Sequence, residues 1–143
     1  MFIDIRRAYF HSPVRRKVYV RLPPEDSSPG YCGMLYKSMY GTRDAAQNWE
    51  YEYSEFLHSI GFVKGKASPC LFYNKQYDIR LAVHGDDFTF LGYPEVLDEV
   101  LKEMRTYLVV FFGRRFGNVP QLLLFEPVTS EVVDYIVSVP RGI

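Results

Sequence analysis

The segment IRLAVHGDDFTFL, residues 79–91, sets the tightest limit on how this chain folds. Two apolar runs, Ile79 to Val83 and Phe88 to Leu91, flank His84-Gly85-Asp86-Asp87. Short apolar runs joined by a tight polar turn read as strand, turn, strand. An isolated hairpin is only marginally stable in water, so further strands or a helix must cover one of its faces. The chain supplies candidates for both. Phe2-Ile3-Asp4-Ile5 reads as a short strand. Lys17 to Leu22 alternates Val18, Val20 and Leu22 against Tyr19 and Arg21, and Pro23-Pro24 stops it. Residues 23–30 form a loop by composition, Tyr31 to Tyr36 reads as another strand, and so does Cys70 to Tyr73, set off by the polar stretch Asn74 to Asp78.

Two helices are predicted between these strands. The first follows Gly41, with Thr42 as N-cap and Asp44 in the first turn, where the helix dipole favours an anion. Its apolar positions are Ala45, Ala46, Trp49, Tyr53, Phe56, Leu57 and Ile60, and Gly61 is a natural stop. The second starts with Pro94 and carries Val96, Leu97, Val100, Leu101, Met104 and Leu108. The order of patterns is β, β, α, β, β, α, which predicts an α+β fold with helices on one face of a sheet. Residues 1–107 hold this pattern; residues 108–143 form a tail without assignment, and Leu122 to Phe125 is an apolar run within it.

Composition narrows the function classes. The 143 residues are 48% hydrophobic, enough for one small domain or a fragment of a larger one to bury a core. The 17 basic and 17 acidic residues cancel, which excludes a strongly basic nucleic-acid coat. The basic residues Arg6, Arg7, Arg15, Arg16, Lys17 and Arg21 suit either phosphate tracking or a solvated face. Cys32 and Cys70 are too few for a Cys-rich zinc site; they read as buried thiols in a reducing, intracellular setting. His11, His58 and His84 are too scattered for zinc. The longest apolar run, Tyr107 to Phe112, is too short to cross a bilayer, so no membrane partner is expected.

The acidic residues break local rules. Asp4 interrupts an apolar strand, and Asp86-Asp87 sits at an apolar hairpin tip. Charge beside a core costs free energy unless something compensates. A divalent cation is one such partner, because Mg²⁺ takes hard oxygen ligands and uses one or two carboxylates plus substrate phosphates. On spacing alone, ordinary turn chemistry is the better explanation of the pair, and a lone Asp near a terminus is usually solvated.

The flanking residues add more. Asp4-Ile5-Arg6-Arg7-Ala8-Tyr9 resembles the first palm motif of reverse transcriptases. VYVRLP at 18–23 resembles the strand that follows it in copia-type retrotransposon polymerases, and YGTRDAAQNW at 40–49 resembles their second motif. FLHSIGFVKGKASPCLFY at 56–73 is similar to the next stretch of that family, and VHGDDF at 83–88 stands in the place of its Tyr-Val-Asp-Asp box. The motifs follow the family's order over residues 1 to about 105.

The resemblance implies a right-hand polymerase palm with RNA-directed DNA polymerase activity, transferring a nucleotide from a dNTP to a primer 3′-hydroxyl. It implies two Mg²⁺ or Mn²⁺ ions on Asp4, Asp86 and Asp87, with Asp87 assisting. Tyr9 would exclude a 2′-hydroxyl, and Asp44 and Gln47 would lie by the incoming nucleotide. Primer-template nucleic acid is the implied partner. His84-Gly85 departs from the family's Tyr-Val, and Asp44 stands where Gln is usual. Fingers, primer grip, thumb and RNase H are not recognisable, so the expectation is a truncated palm with little activity alone. The alternatives are an inert palm-derived domain and a nucleic-acid-binding module that uses an exposed sheet face.

Overall fold

The computed structural model describes residues 1–107, 110–114 and 136–140, the last two stretches by their backbone. In chain order the strands are β1 (Phe2–Ile5), β2 (Tyr19–Val20), β3 (Tyr31–Leu35), β4 (Val63–Lys64), β5 (Leu71–Asn74), β6 (Ile79–His84), β7 (Asp87–Leu91), β8 (Val110–Arg114) and β9 (Ile136–Pro140). The helices are α1 (Ala8–His11), α2 (Ala45–Ser59) and α3 (Pro94–Tyr107). The fold is α+β, and both of its sheets are antiparallel at every pairing.

Two compact units divide these elements. One gathers Met1–Ala8 with the chain from Glu50 through β8, and holds a six-stranded sheet in the order β4-β5-β6-β7-β1-β8. The other gathers Tyr9–Trp49 with β9, and holds the sheet β2-β3-β9. Strands β8 and β9 come from the stretch after residue 107, so the tail contributes one strand to each sheet. The run Leu122 to Phe125 and the stripe residue Leu108 lie outside the described residues.

The alternation expected of the six-stranded sheet is present residue by residue. Ile3, Ile5, Phe72, Ile79, Leu81, Val83, Phe88 and Phe90 are buried, while Phe2, Asp4, Leu71, Tyr73, Asp87 and Leu91 point the other way and are exposed. Tyr53 of α2 sets its ring edge-on to Phe72 and Phe88, at centroid distances of 6.1 and 5.4 Å. Edge-to-face pairing adds to the burial of these rings. Leu97, Val100 and Met104 make the buried stripe of α3.

Several expectations are corrected. Thr42 does not cap α2: its hydroxyl donates to the Met39 carbonyl at 2.7 Å, and the helix begins at Ala45. The Asp44 carbonyl accepts from the Asn48 N–H at 2.9 Å, so Asp44 occupies the cap position. Ala46 is exposed, and Asn48, buried, takes an inward place, its amide donating to the Ser38 hydroxyl at 3.0 Å. The strand expected over Lys17 to Leu22 narrows to two residues, because only Tyr19 and Val20 pair with β3, opposite Met34 and Gly33. The one-turn helix α1 and the two-residue strand β4 are too short to show a period and were not expected. Cys70 is exposed and Cys32 only half-buried, against the expectation of buried thiols.

Gly61 ends α2 as expected. Its φ is +87°, its N–H donates to the His58 carbonyl, and the Phe62 N–H donates to the Leu57 carbonyl. That is a Schellman motif, which favours glycine at C′. Next to it, the buried Asn74 side chain donates to the Ile60 carbonyl and accepts from the N–H groups of Gln76 and Tyr77. One amide thus ties the end of α2 to the β5–β6 connection. A Cβ at Gly61 would meet Asn74 Nδ2 at 3.2 Å. Gly61→Ala is expected to destabilise by about 1–2 kcal/mol, the cost of a left-handed L-residue. Urea unfolding checks this, and a mutant as stable as the parent would contradict the positive φ.

Candidate active site

Asp4 and Asp87 meet because of strand register. Side chains alternate across a strand, so burying Ile3 and Ile5 forces Asp4 onto the open face. Strand β1 lies antiparallel to β7 with Phe2 opposite Thr89, Ile3 opposite Phe88 and Asp4 opposite Asp87. Directly opposed residues stand about 4.5–5.5 Å apart at Cα, and like charges there repel. A one-residue slip would send Asp4 into the core and expose Ile3 and Ile5.

Asp86 is held one step away. Strands β6 and β7 pair His84 with Asp87, leaving Gly85-Asp86 as a two-residue turn. Gly85 has φ +64° at the first turn position, a conformation that glycine adopts without strain. The Asp86 carbonyl accepts from the Ile5 N–H at 3.0 Å, which pins the turn beside β1. On the other edge of β1 the register with β8 shifts between Asp4, opposite Phe112, and Ile5, opposite Val110. Such irregularities re-aim side chains at functional sites.

The electrostatics report this crowding. Partial burial pushes the Asp4 carboxyl above its ordinary value of 3.8, and the charges of Asp86 and Asp87 push it further in the same direction. The three carboxyl groups therefore share one field. Among the described residues, however, no group of three or more His, Cys, Asp or Glu side chains forms a ready-made metal cage.

The other predicted residues lie in the second unit, and their geometry is local to it. Tyr9 is on α1, half-buried, with its ring stacked on Tyr40 at 4.3 Å. Gln47 is exposed on α2. Asp44 receives two 2.7 Å hydrogen bonds from the Arg16 guanidinium, through Nε and Nη2. This fork holds the Asp44 carboxyl below its ordinary value and raises Arg16. Arg16, rather than the adjacent Arg43, is thus the main partner of Asp44. Sequence reasoning placed Arg16 only within a basic run and Tyr40 and Asn48 only within the second motif, and it passed over Ser38. Period and motif carry no signal for pairings so far apart along the chain.

Comparison with known proteins gives one consistent relationship. Residues 1–123 match the family described as reverse transcriptase (RNA-dependent DNA polymerase). The transposon Ty5-1 protein of Saccharomyces cerevisiae is 29% identical over 108 residues, covering 71% of this chain and 35% of that protein. The retrovirus-related Pol polyprotein from transposon TNT 1-94 of Nicotiana tabacum is 26% identical over 106 residues, covering 70% and 8%. The transposon Ty1-DR4 Gag-Pol polyprotein of S. cerevisiae is 30% identical over 82 residues, covering 57% and 5%. The chain therefore spans about a third of the first of these relatives and less than a tenth of the other two. No solved structure matches it significantly.

Proposed function

Because the chain belongs to the reverse transcriptase (RNA-dependent DNA polymerase) family, we propose that its open-faced sheet is the palm of a copia-type retrotransposon polymerase, with Asp4, Asp86 and Asp87 as its acidic centre. The register that sets Asp4 against Asp87 is the observation that carries this reading. The donor set fits Mg²⁺ or Mn²⁺, since it offers only hard carboxylate oxygens. The lack of a closed cage is compatible with Mg²⁺, which keeps several waters and is completed by substrate phosphates. Such ions, when bound, activate the primer 3′-hydroxyl and offset the charge on the phosphates.

The residues of the chain do the positioning. Asp4 and Asp86 hold the ions, with Asp87 beside them. Tyr9 discriminates against ribonucleotides by the volume of its ring. Gln47 lies by the incoming nucleotide. Arg16 answers the problem raised by Asp44: a carboxylate near a triphosphate would repel it, and the bidentate guanidinium offsets that charge. Sheet-face binding of nucleic acid without catalysis has less support. The exposed Phe2 and Tyr73 share their face with Asp4 and Asp87, and the nearby Arg80 is drawn to Asp78 at 3.3 Å.

Positioning and charge neutralisation supply most of the catalysis in phosphoryl transfer. This stretch alone is therefore proposed to bind metal but to extend a primer at a negligible rate. Mn²⁺ binding, followed by the loss of the free-ion EPR signal, is expected for the parent chain and at least about tenfold weaker in Asp86→Asn, a difference of ~1.4 kcal/mol. Absence of Mn²⁺ binding in the parent would remove the acidic centre. Primer extension with all four dNTPs is the second assay. Metal-dependent synthesis that vanishes in Asp86→Asn would show that the stretch works alone.

A further inference from the structure

Tyr40 is built into its place more firmly than an exposed aromatic needs to be. It is 47% exposed, yet its ring stacks on Tyr9 with centroids 4.3 Å apart and planes 22° from parallel. Phe10 meets the same ring edge-on at 5.7 Å. The backbone beneath it is locked. The Thr42 N–H donates to the Met39 carbonyl at 3.1 Å, and the Thr42 hydroxyl donates to the same oxygen. Tyr40 and Gly41 are the central residues of that turn, and Gly41 has φ +87°, as the third position of a type II turn requires.

The Tyr9 side is braced as well. The Ser12 N–H and hydroxyl both donate to the Tyr9 carbonyl. The Ser38 N–H donates to the Ser12 carbonyl at 2.8 Å, and the Lys37 ammonium donates to the His11 carbonyl at 3.0 Å. Ser12 and Ser38 are fully buried. The two tyrosines therefore sit on a common hydrogen-bonded bracket within one compact unit.

A side chain that excludes a hydroxyl by its bulk works only if it stays in one rotamer, because staggered wells are otherwise freely exchanged. We infer that Tyr40 is a specificity-determining residue for the nucleotide sugar, acting as a positioning residue that fixes the ring of Tyr9. The inference rests on the sugar-excluding role proposed for Tyr9 and deepens it. The stacking face supplies the constraint, so Tyr40→Phe keeps it and Tyr40→Ala removes it. Gly41→Ala keeps both aromatic side chains but disturbs the turn beneath Tyr40. A Cβ there meets nothing within 4 Å, but the positive φ is disfavoured for alanine, so the turn that presents Tyr40 shifts.

The test is equilibrium binding of dATP and ATP to the full chain in Mg²⁺, read by saturation-transfer NMR, with thermal unfolding of each variant as a folding control. The parent is expected to prefer dATP, and Tyr9→Ala to equalise the two. Tyr40→Ala should lower the dATP/ATP preference by roughly 2- to 10-fold, the range of a stacked aromatic pair. Gly41→Ala should move the ratio in the same direction, and Tyr40→Phe should leave it unchanged. A preference lost in Tyr9→Ala but kept in both Tyr40→Ala and Gly41→Ala would overturn the role of Tyr40 and leave that of Tyr9 standing. A parent that binds neither nucleotide, or both equally, or a preference that survives Tyr9→Ala, would overturn the reading of Tyr9 and the inference with it.

Discussion

Trp49→Ala is expected to destabilise the fold by about 3–5 kcal/mol, which lowers Tm by something on the order of 10 °C. Trp49 is only 1% exposed and is among the largest fully buried side chains of the described residues. It sits on the inward face of α2, in the same turn as Asn48 and one turn before Tyr53, both of them buried. Truncation loses the transfer free energy of an indole and leaves a cavity that the helix backbone cannot collapse into. A domain of this kind has a total stability of roughly 5–15 kcal/mol, so the loss is a large share of it. Glu55→Ala, at an exposed position on the same helix, is the matched control and should change stability by less than ~0.5 kcal/mol. Equilibrium urea unfolding measures both. A Trp49→Ala effect below about 1 kcal/mol would mean that the inward face of α2 is not the one described.

Asp4→Asn is expected to raise Tm in metal-free buffer at neutral pH and to abolish stabilisation by Mg²⁺. The Asp4 carboxyl has a folded pKa above its ordinary value of 3.8, through burial first and then through Asp86 and Asp87. The contribution of Asp4 to stability is therefore fully present below about 3.8, the unfolded value, and is lost as pH rises through the raised folded value. At neutral pH the ionised group is a net cost, and asparagine removes it while keeping the shape. Added Mg²⁺ reverses the situation for the parent, because a ligand that binds only the folded state stabilises it by about 2.7 kcal/mol at a hundredfold excess over Kd. Thermal unfolding with and without Mg²⁺ measures both effects. A lower metal-free Tm for Asp4→Asn, or an equal Mg²⁺ response in mutant and parent, would break the link between this site and a cation.

The faces of Asp4 and Asp87 and the hairpin beside them were legible because their signals are local. Alternation in Phe2-Ile3-Asp4-Ile5 and in Asp87-Phe88-Thr89-Phe90 dictates which face each aspartate takes, and Gly85 permits the turn between β6 and β7. The end of α2 was legible at Gly61 for a related reason: only a residue without Cβ takes that φ cheaply. The start of α2 was not. Thr42 and Asp44 are both good caps in isolation, and the choice between them was made by a turn that engages Thr42 and by Arg16, 28 residues away, which engages Asp44.

What the amino-acid sequence determined by itself was thus the α+β class, the strands that carry Asp4 and Asp87 with the turn that holds Asp86, and the buried stripe from Trp49 to Leu57. These follow from periods of two and 3.6 residues and from turn chemistry, which act over a few neighbouring positions. Tertiary structure alone decided the register that opposes Asp4 to Asp87, the Arg16–Asp44 fork, the Tyr9–Tyr40 stack and the recruitment of β8 and β9 to their sheets. Each of those joins residues far apart along the chain, and which partners meet depends on the whole path that buries the apolar faces rather than on any local preference.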